Sequence, residues 1–475
     1  MLKAFFKDSA VYGTARLLTG SIALLSLPIF TRVLSPADYG AVDLLTTIAA
    51  IVHVTVAIEI SQGFGRYVLS ADGRGARERY ASTALWFTLA AYSVFAAIVF
   101  PLAGRISIWL LGTDVYDGVF RVATLVIWST GLFNFVQNVL RYERRSTSYA
   151  VVSIVFSVLS FGVTVAFLLY FRIGLIGVFA GQFVAGVIAV GLGLWLARDT
   201  IAPTFDRQRM QEMLMFSAPL VPSGLGIMLT TYVDRYAIVR LLSLEELGFY
   251  GVAFRLASIV GVALAGVVSA VAPLMYQHHH DPGTPAQVAR MFQWFLALAL
   301  PLVLFLALFA PELVRLVAPA EYVPATHVVF VLSAAILTAS CYNFAPGLWI
   351  AKRTGWVALI GVSSGAINLA LNLMLIPRLG LIGAALSTLT SAALACIAHF
   401  VSSQRFYPVP FRWSRLAAAA IIVGGTGAVF TGGAPVDLPV RAVTWLIVSA
   451  VTAAMLIGAH DVRLATHRLR QVLPG

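Results

Sequence analysis

The sequence predicts an all-α polytopic membrane protein of about 14 transmembrane helices, arranged as two parallel six-helix lobes plus a peripheral helix pair. Three observations carry this expectation: the composition, the spacing of long apolar runs, and an internal repeat. Of 475 residues, 60% are apolar and 11% are charged, against roughly 45–50% and a quarter in soluble domains. The mean hydropathy is +0.90. This composition excludes a soluble enzyme, a disordered protein and a secreted disulfide scaffold. About fourteen spans of ~20 residues account for most of the chain and leave no room for an extramembrane domain.

Apolar runs long enough to cross a bilayer fall at 11–32, 40–62, 82–104, 119–140, 149–170, 174–196, 214–240, 249–272, 291–311, 325–350, 355–377, 379–402, 414–432 and 440–459. They lack the alternation of barrel strands and are too long for them, so they read as helices. The first run follows a basic N-terminus without a convincing cleavage site and reads as an uncleaved span. The net charge of +12 would suggest a nucleic-acid partner in a soluble protein. Here the basic residues lie at the ends of apolar runs, where they set orientation, and no nucleic acid is expected. Of the 32 Lys and Arg, 21 fall on the side shared with the N-terminus and eight on the other. Both termini are therefore expected in the cytoplasm. Cys341 and Cys396 lie inside apolar runs and read as small core residues with no redox or metal role.

The repeat is the most informative feature. Leu34-Ser35-Pro36-Ala37-Asp38-Tyr39-Gly40 recurs as Leu242-Ser243-Leu244-Glu245-Glu246-Leu247-Gly248, 208 positions later. At the same offset Arg32 matches Arg240, Ser9-Ala10 matches Ser217-Ala218, and Arg144-Arg145 matches Lys352-Arg353. Arg172 to Gly177 recurs as Arg378 to Gly383, at an offset of 206. Each copy holds six spans, an even number, so both enter the membrane in the same direction. The expected division is 1–198, 199–405, and 406–475 for two further spans and a tail. Parallel repeats of this kind are a transporter architecture with substrate held between them.

The first loop, Arg-x-Leu-Ser-x-x-Asp-Tyr-Gly from Arg32 to Gly40, together with the duplication and topology of spans 1–12, resembles the polysaccharide-exporter branch of the MOP superfamily. The closest group is the Wzx-type flippases. The resemblance implies translocation of polyprenyl-diphosphate-linked oligosaccharides across a bacterial inner membrane, through two lobes opening alternately around a cationic lumen. It implies a lipid-linked oligosaccharide and membrane lipids as partners, with a polysaccharide polymerase and a chain-length regulator downstream. The second copy lacks Asp and Tyr at the matching places, so the loop reads as structural, a short turn in which Gly40 frees the backbone.

Ionisable groups at membrane depth are costly and mark function by default. Arg16 lies in span 1; Asp43, His53 and Glu59 in span 2; Asp234 and Arg235 in span 7; Arg255 in span 8. These four spans are the repeat-equivalent pairs expected to face the central cleft. Guanidinium binds phosphate oxygens through paired hydrogen bonds, so Arg16, Arg235 and Arg255 are the candidate diphosphate or sugar-acid contacts. Local pairing of Asp234 with Arg235, or snorkelling to the headgroups, is the competing account. Asp43, His53, Glu59 and Asp234 are the candidates for coupling to a proton or sodium ion. Glu59 and Arg66, seven apart, would share a helix face and could pair.

Two polar stripes suit a sugar path, since amides both donate and accept. Asn134, Asn138 and Arg141 share a face of span 4, with Gln137 beside them; Gly361, Gly365, Asn368 and Asn372 share a face of span 11. Ordinary helix packing is the alternative for span 11. Pro28, Pro219, Pro222 and Pro273 permit bends. His278-His279-His280 reads as a solvated loop, and Gly424-Gly425-Thr426-Gly427 is not a phosphate loop, because no Lys-Ser or Lys-Thr follows. No metal or cofactor is expected. Beside the flippase stand two alternatives: a cation-coupled, multidrug-type exporter on the same scaffold, and a membrane glycan polymerase or ligase. The short outward connections disfavour the enzyme.

Overall fold

The computed structural model describes residues 18–22, 25–432 and 436–457. Among them every regular element is helical, and twelve helices are long and apolar enough to cross a membrane. A thirteenth is reached if the bent pair Arg207–Gly226 and Thr231–Leu241, at 52°, counts as one span. The expected first span is described only as the apolar helix α1, Leu18–Val33. Arg16, Ser9 and Ala10 lie outside the described residues.

The chain forms two compact units, Met1–Gly248 and Phe249–Gly475. The first holds α1, α2 (Pro36–Thr55), α3 (Ile60–Ser70), α4 (Arg74–Leu111), α5 (Asp117–Tyr142), α6 (Ser146–Val165), α7 (Leu175–Leu196), α8 (Arg207–Ser217) and α9 (Val221–Leu241). Helix α10 (Leu244–His278) starts in it. The second unit continues with α11 (Thr284–Leu308), α12 (Ala310–Val317), α13 (Thr326–Cys341), α14 (Gly347–Ile350), α15 (Thr354–Leu379), α16 (Leu381–Gln404), α17 (Trp413–Gly432) and α18 (Leu438–Leu456).

The repeated loop motif is a helix start. Ser35 Oγ accepts from the Asp38 amide at 3.2 Å and donates to the Asp38 carboxylate at 2.8 Å, with Pro36 in the first turn. In the second copy Ser243 Oγ accepts from the Glu246 amide at 3.1 Å. Both are N-caps with an acid three residues on, which satisfies amides that helix geometry leaves unpaired. Gly40 is helical, which corrects its expected place in a turn. A Cβ at Gly40 would strike the Leu244 carbonyl oxygen, and a Cβ at Gly248 would strike that of Pro36. Positions 36 and 244, and 40 and 248, are repeat-equivalent. The contact is therefore reciprocal, as a two-fold relation requires.

A second feature of the repeat is equally exact in backbone terms. At the end of α5 the Arg145 amide donates to Leu140 O at 2.9 Å and the Arg144 amide to Arg141 O at 3.1 Å. At the end of α14 the Arg353 amide donates to Leu348 O at 2.8 Å and the Lys352 amide to Trp349 O at 3.0 Å. This is a Schellman ending in both copies, with Arg144 and Lys352, each at φ +56°, where glycine is usual.

Span 2 is not the continuous helix expected over 40–62. Helix α2 ends at Thr55, and Ile58 and Glu59 adopt left-handed φ of 50° and 51°, which no right-handed helix can absorb. The redirected α3 packs on α8, where the missing side chain of Gly63 admits the backbone of Met213. The expected Glu59–Arg66 pair does not form: Glu59 sits at the break, and the Arg66 guanidinium lies 5.0 Å from the Phe216 ring centre.

The segment between α7 and α8 is tied to the first unit. Arg145 donates to Leu196 O at 2.8 Å, to the Asp199 carboxylate at 2.6 Å and to Thr200 Oγ1 at 3.2 Å. The hydrogen bond from Arg145 holds the Asp199 carboxyl below the usual carboxylate range. The Ala202 and Asp206 amides donate to Ser82 Oγ and Thr83 Oγ1 at 2.8 and 3.0 Å. In the second unit, α17 and α18 pack on α11. Trp445 Nε1 donates to Pro301 O at 2.9 Å, and Arg441 pairs with Glu312 at 3.0 Å. Gly424 to Gly427 lies inside α17, with Gly427 against the Phe330 ring. His278 ends α10, and among the described residues no cluster of metal-ligating side chains forms.

Gly40→Ala should destabilise the protein by about 1–3 kcal/mol, because a backbone carbonyl must move. Gly424→Ala, with open space at its Cβ position, should be neutral or favourable by up to ~1 kcal/mol. Thermal unfolding in detergent compares the two; equal midpoints would refute the close approach.

Candidate functional site

The site is built on α2 and α9, which run antiparallel within the first unit. Asp43 lies beside Arg235 near one end of the pair. Near the other, Gly224 faces Val54 and Glu59, an added Cβ there falling 3.6 Å from Glu59 Oε1. Arg235 is 1% exposed, a charged side chain withdrawn almost wholly from its surroundings. Its Nη1 donates to Asp234 Oδ1 at 2.8 Å and to Thr231 O at 3.1 Å. Its backbone amide donates to the same Asp234 oxygen at 2.9 Å. Its Nε lies 3.4 Å from Asp43 Oδ2, and its guanidinium carbon 5.2 Å from the Tyr232 ring centre.

The structure thus gathers three of the residues predicted separately into one cluster. Arg235 was expected to face a ligand; in this conformation two carboxylates and a carbonyl enclose it. The reason is energetic. A guanidinium at membrane depth is tolerated only with compensating charge and hydrogen bonds. Among the described residues the cluster brings together two acids and one cation.

His53, one face further along α2, joins α4 and α5. Its Nδ1 lies 2.9 Å from Tyr92 Oη and its Nε2 3.2 Å from Thr130 Oγ1. Thr130 donates its only hydroxyl proton to Val126 O at 2.7 Å, so it accepts from His53 Nε2–H. In a neutral ring Nδ1 is then the acceptor for the Tyr92 hydroxyl. Gly131 leaves room for the Tyr92 ring, since a Cβ there would overlap it. Sequence reasoning named His53 and missed Tyr92 and Thr130. The available signal was a tyrosine in the middle of an otherwise apolar span and a glycine opposite it.

The polar stripes divide. Asn134 is exposed, and Asn138 accepts from Arg141 Nη2 at 2.6 Å, so both remain on an open face of α5. Gln137 does not join them: it is buried and donates to Ser153 Oγ of α6 at 2.9 Å. Nor do Asn368 and Asn372 line an open face. Both are buried in the seam between α15 and α16. Asn372 Nδ2 donates to Asn368 Oδ1 at 2.9 Å, and Asn368 Nδ2 to Ser391 Oγ at 3.1 Å. A hundred-degree helical step puts i and i+4 on one face but leaves undetermined whether that face meets a neighbour or a cavity. Here helix packing prevails. Arg255, in the second unit, is half-buried on α10.

Arg235→Met takes a counter-charge from buried Asp234 and half-buried Asp43 and should cost about 3–5 kcal/mol. Adding Asp43→Asn and Asp234→Asn should restore most of that loss; a wild-type midpoint for Arg235→Met alone would disprove the enclosure. Asn368→Ala should cost about 0.6–1.7 kcal/mol, the range for an interhelical hydrogen bond in a membrane. An unchanged midpoint on thermal unfolding would place Asn368 outside the seam.

Residues 29–327 match the family described as "Polysaccharide biosynthesis protein". Over 429 residues the chain is 22% identical to a Haloferax volcanii protein described as a probable low-salt glycan biosynthesis flippase, Agl15, covering 86% of each chain. Among solved structures it is similar to the lipid II flippase MurJ in an inward closed conformation. The TM-score is 0.74 at 11% identity, over 95% of this chain and 98% of that one. An inward-facing multidrug resistance MATE family transporter of the MOP superfamily gives a TM-score of 0.67 at 15% identity, covering 81% and 94%. Identities this low speak for the fold alone. With a multi-pass helical membrane fold like that of these transporters and a family match across residues 29–327, the chain belongs to the family described as polysaccharide biosynthesis protein.

Proposed function

We propose that this protein is a flippase that carries polyprenyl-diphosphate-linked oligosaccharide repeat units from the cytoplasmic to the periplasmic face of a bacterial inner membrane, for cell-surface polysaccharide synthesis. The family match, the flippase description of its Haloferax relative and the fold shared with a lipid II flippase support this reading. The observation that carries it is a guanidinium held at membrane depth by exchangeable partners. A diphosphate cannot cross hydrocarbon with its charge exposed. Arg235 offers that charge compensation, provided Asp43 and Asp234 release it. Protonation or a bound cation at those carboxylates would favour release, which is how an ion gradient would couple to the anion's movement. Arg16 and Arg255 belong to the same proposal, as does Asn134 with Asn138 for the sugars.

The repeat division at 1–198 and 199–405, with 406–475 as an added pair, is the proposed basis for alternating access. Both termini belong in the cytoplasm in this proposal, a reading supported by the excess of basic residues on their side. A glycan polymerase and a chain-length regulator are the proposed downstream partners. The protein is read as a transporter and not an enzyme.

One observation favours a second reading. The fold is shared with a multidrug transporter, and two carboxylates stand beside Arg235 among the described residues, as an organic cation as cargo would use. Proteoliposomes separate the two. Inward-loaded fluorescent polyprenyl-diphosphate oligosaccharide should reach the outer face, and Arg235→Gln should slow it about 100-fold or more, the cost of one charge-assisted contact of ~3 kcal/mol. Export of organic cations with no movement of the glycolipid would reverse the ranking.

A further inference from the structure

We infer that the first unit carries a specific site for an anionic glycerophospholipid, separate from the charged cluster on α2 and α9. A groove of about 340 Å³ opens between α4 and α7 over α5. Leu85 and Leu132 form its floor, and Val190 and Leu194 one wall, with Arg198 at its mouth. Val190 and Leu194 lie one turn apart on α7 and Arg198 follows in the turn just past its end, so the cation stands on the order of 10 Å from the apolar end. That is the distance relation between a phosphate and the upper part of an acyl chain.

The mouth is prebuilt and cationic. Arg145 fixes the connection at Leu196, Asp199 and Thr200, and Ser82 Oγ holds the Ala202 amide. Arg145 at 2.6 Å and Arg74 at 3.6 Å already engage Asp199, and Arg145 also feels the charge of Glu143. Arg198 makes no ion pair among the described residues; its guanidinium lies 5.2 Å from the Trp195 ring centre. Three arginines against the two carboxylates of Asp199 and Glu143 leave a net positive mouth among the described residues. Exposed Trp86 and Trp195 flank it, and indole rings favour the headgroup level of a bilayer. The charged start of α4 at Arg74 to Arg79 lies only two turns before Leu85, which sets the groove at the polar–apolar boundary on the arginine-rich side. Charge and depth together select a lipid phosphate with one chain inserted. The volume admits a single chain segment, at the small end for a ligand pocket.

The test uses the full chain reconstituted in phosphatidylethanolamine vesicles containing about one quarter phosphatidylglycerol. The protein is re-extracted and its retained lipid counted by native mass spectrometry. Wild type should retain phosphatidylglycerol in preference to phosphatidylethanolamine. Arg198→Gln should lower that retention roughly fivefold, the effect of one arginine at a lipid surface, and Arg198→Lys should keep most of it. Val190→Trp, which fills the groove and leaves Arg198 in place, should lower it as well; thermal unfolding confirms that each variant is folded. Equal retention in Arg198→Gln, or no preference between the two lipids, would overturn the proposal. So would displacement of phosphatidylglycerol by an equal amount of polyprenyl phosphate, which would make the groove a seat for the cargo's tail.

Discussion

The arrangement around Arg235 constrains the rest of the first unit. A guanidinium that is 1% exposed at membrane depth needs more than one partner. Asp234 is adjacent in sequence, and Thr231 lies one helical turn away, so α9 supplies two partners unaided. The third, Asp43, must come from α2. That requirement fixes the register of α2 against α9 and aligns the left-handed break at Ile58 and Glu59 with Gly224. A protein selected for stability alone would do as well with apolar residues of similar volume. Keeping a buried ion cluster makes sense where its members must trade partners during work.

The same helices show how glycine and small polar residues substitute for a hydrophobic driving force that lipid does not provide. Gly40 and Gly248 let helix backbones meet, the Leu244 and Pro36 carbonyls occupying the space their side chains would need. Gln137 with Ser153, and Asn368 with Ser391, join helices by side-chain hydrogen bonds in dry seams. His53, Tyr92 and Thr130 do so across three helices with one consistent assignment of protons. Polar residues in this protein therefore fall into two populations: those that hold helices together and those kept near exchangeable charge.

The connection between α7 and α8 shows the reverse relation, in which a loop is as well specified as a helix. Arg145 sits next to Arg144, whose left-handed backbone ends α5 and redirects the chain. That turn places the Arg145 side chain on Leu196, Asp199 and Thr200. A strained residue and a three-pronged guanidinium together give the loop a fixed shape, and the fixed shape is what makes its neighbouring groove a candidate site.

The sequence by itself determined the helical membrane class, the positions of most spans and the duplication, because each depends on composition or on a linear spacing. Twelve of the expected spans correspond to helices long and apolar enough to cross a membrane, and the matched motifs reappear as matched N-caps and matched Schellman turns. It also singled out Asp43, Asp234 and Arg235, because charge in an apolar run is visible without coordinates. Tertiary structure alone decided that these three share one cluster, that Glu59 and Arg66 part at a helix break, and that Asn368, Asn372 and Gln137 serve seams. A helical wheel gives the angle at which a side chain leaves its axis and nothing about what stands opposite. Burial, partner and register are properties of pairs of helices, and they exist only once the chain has packed.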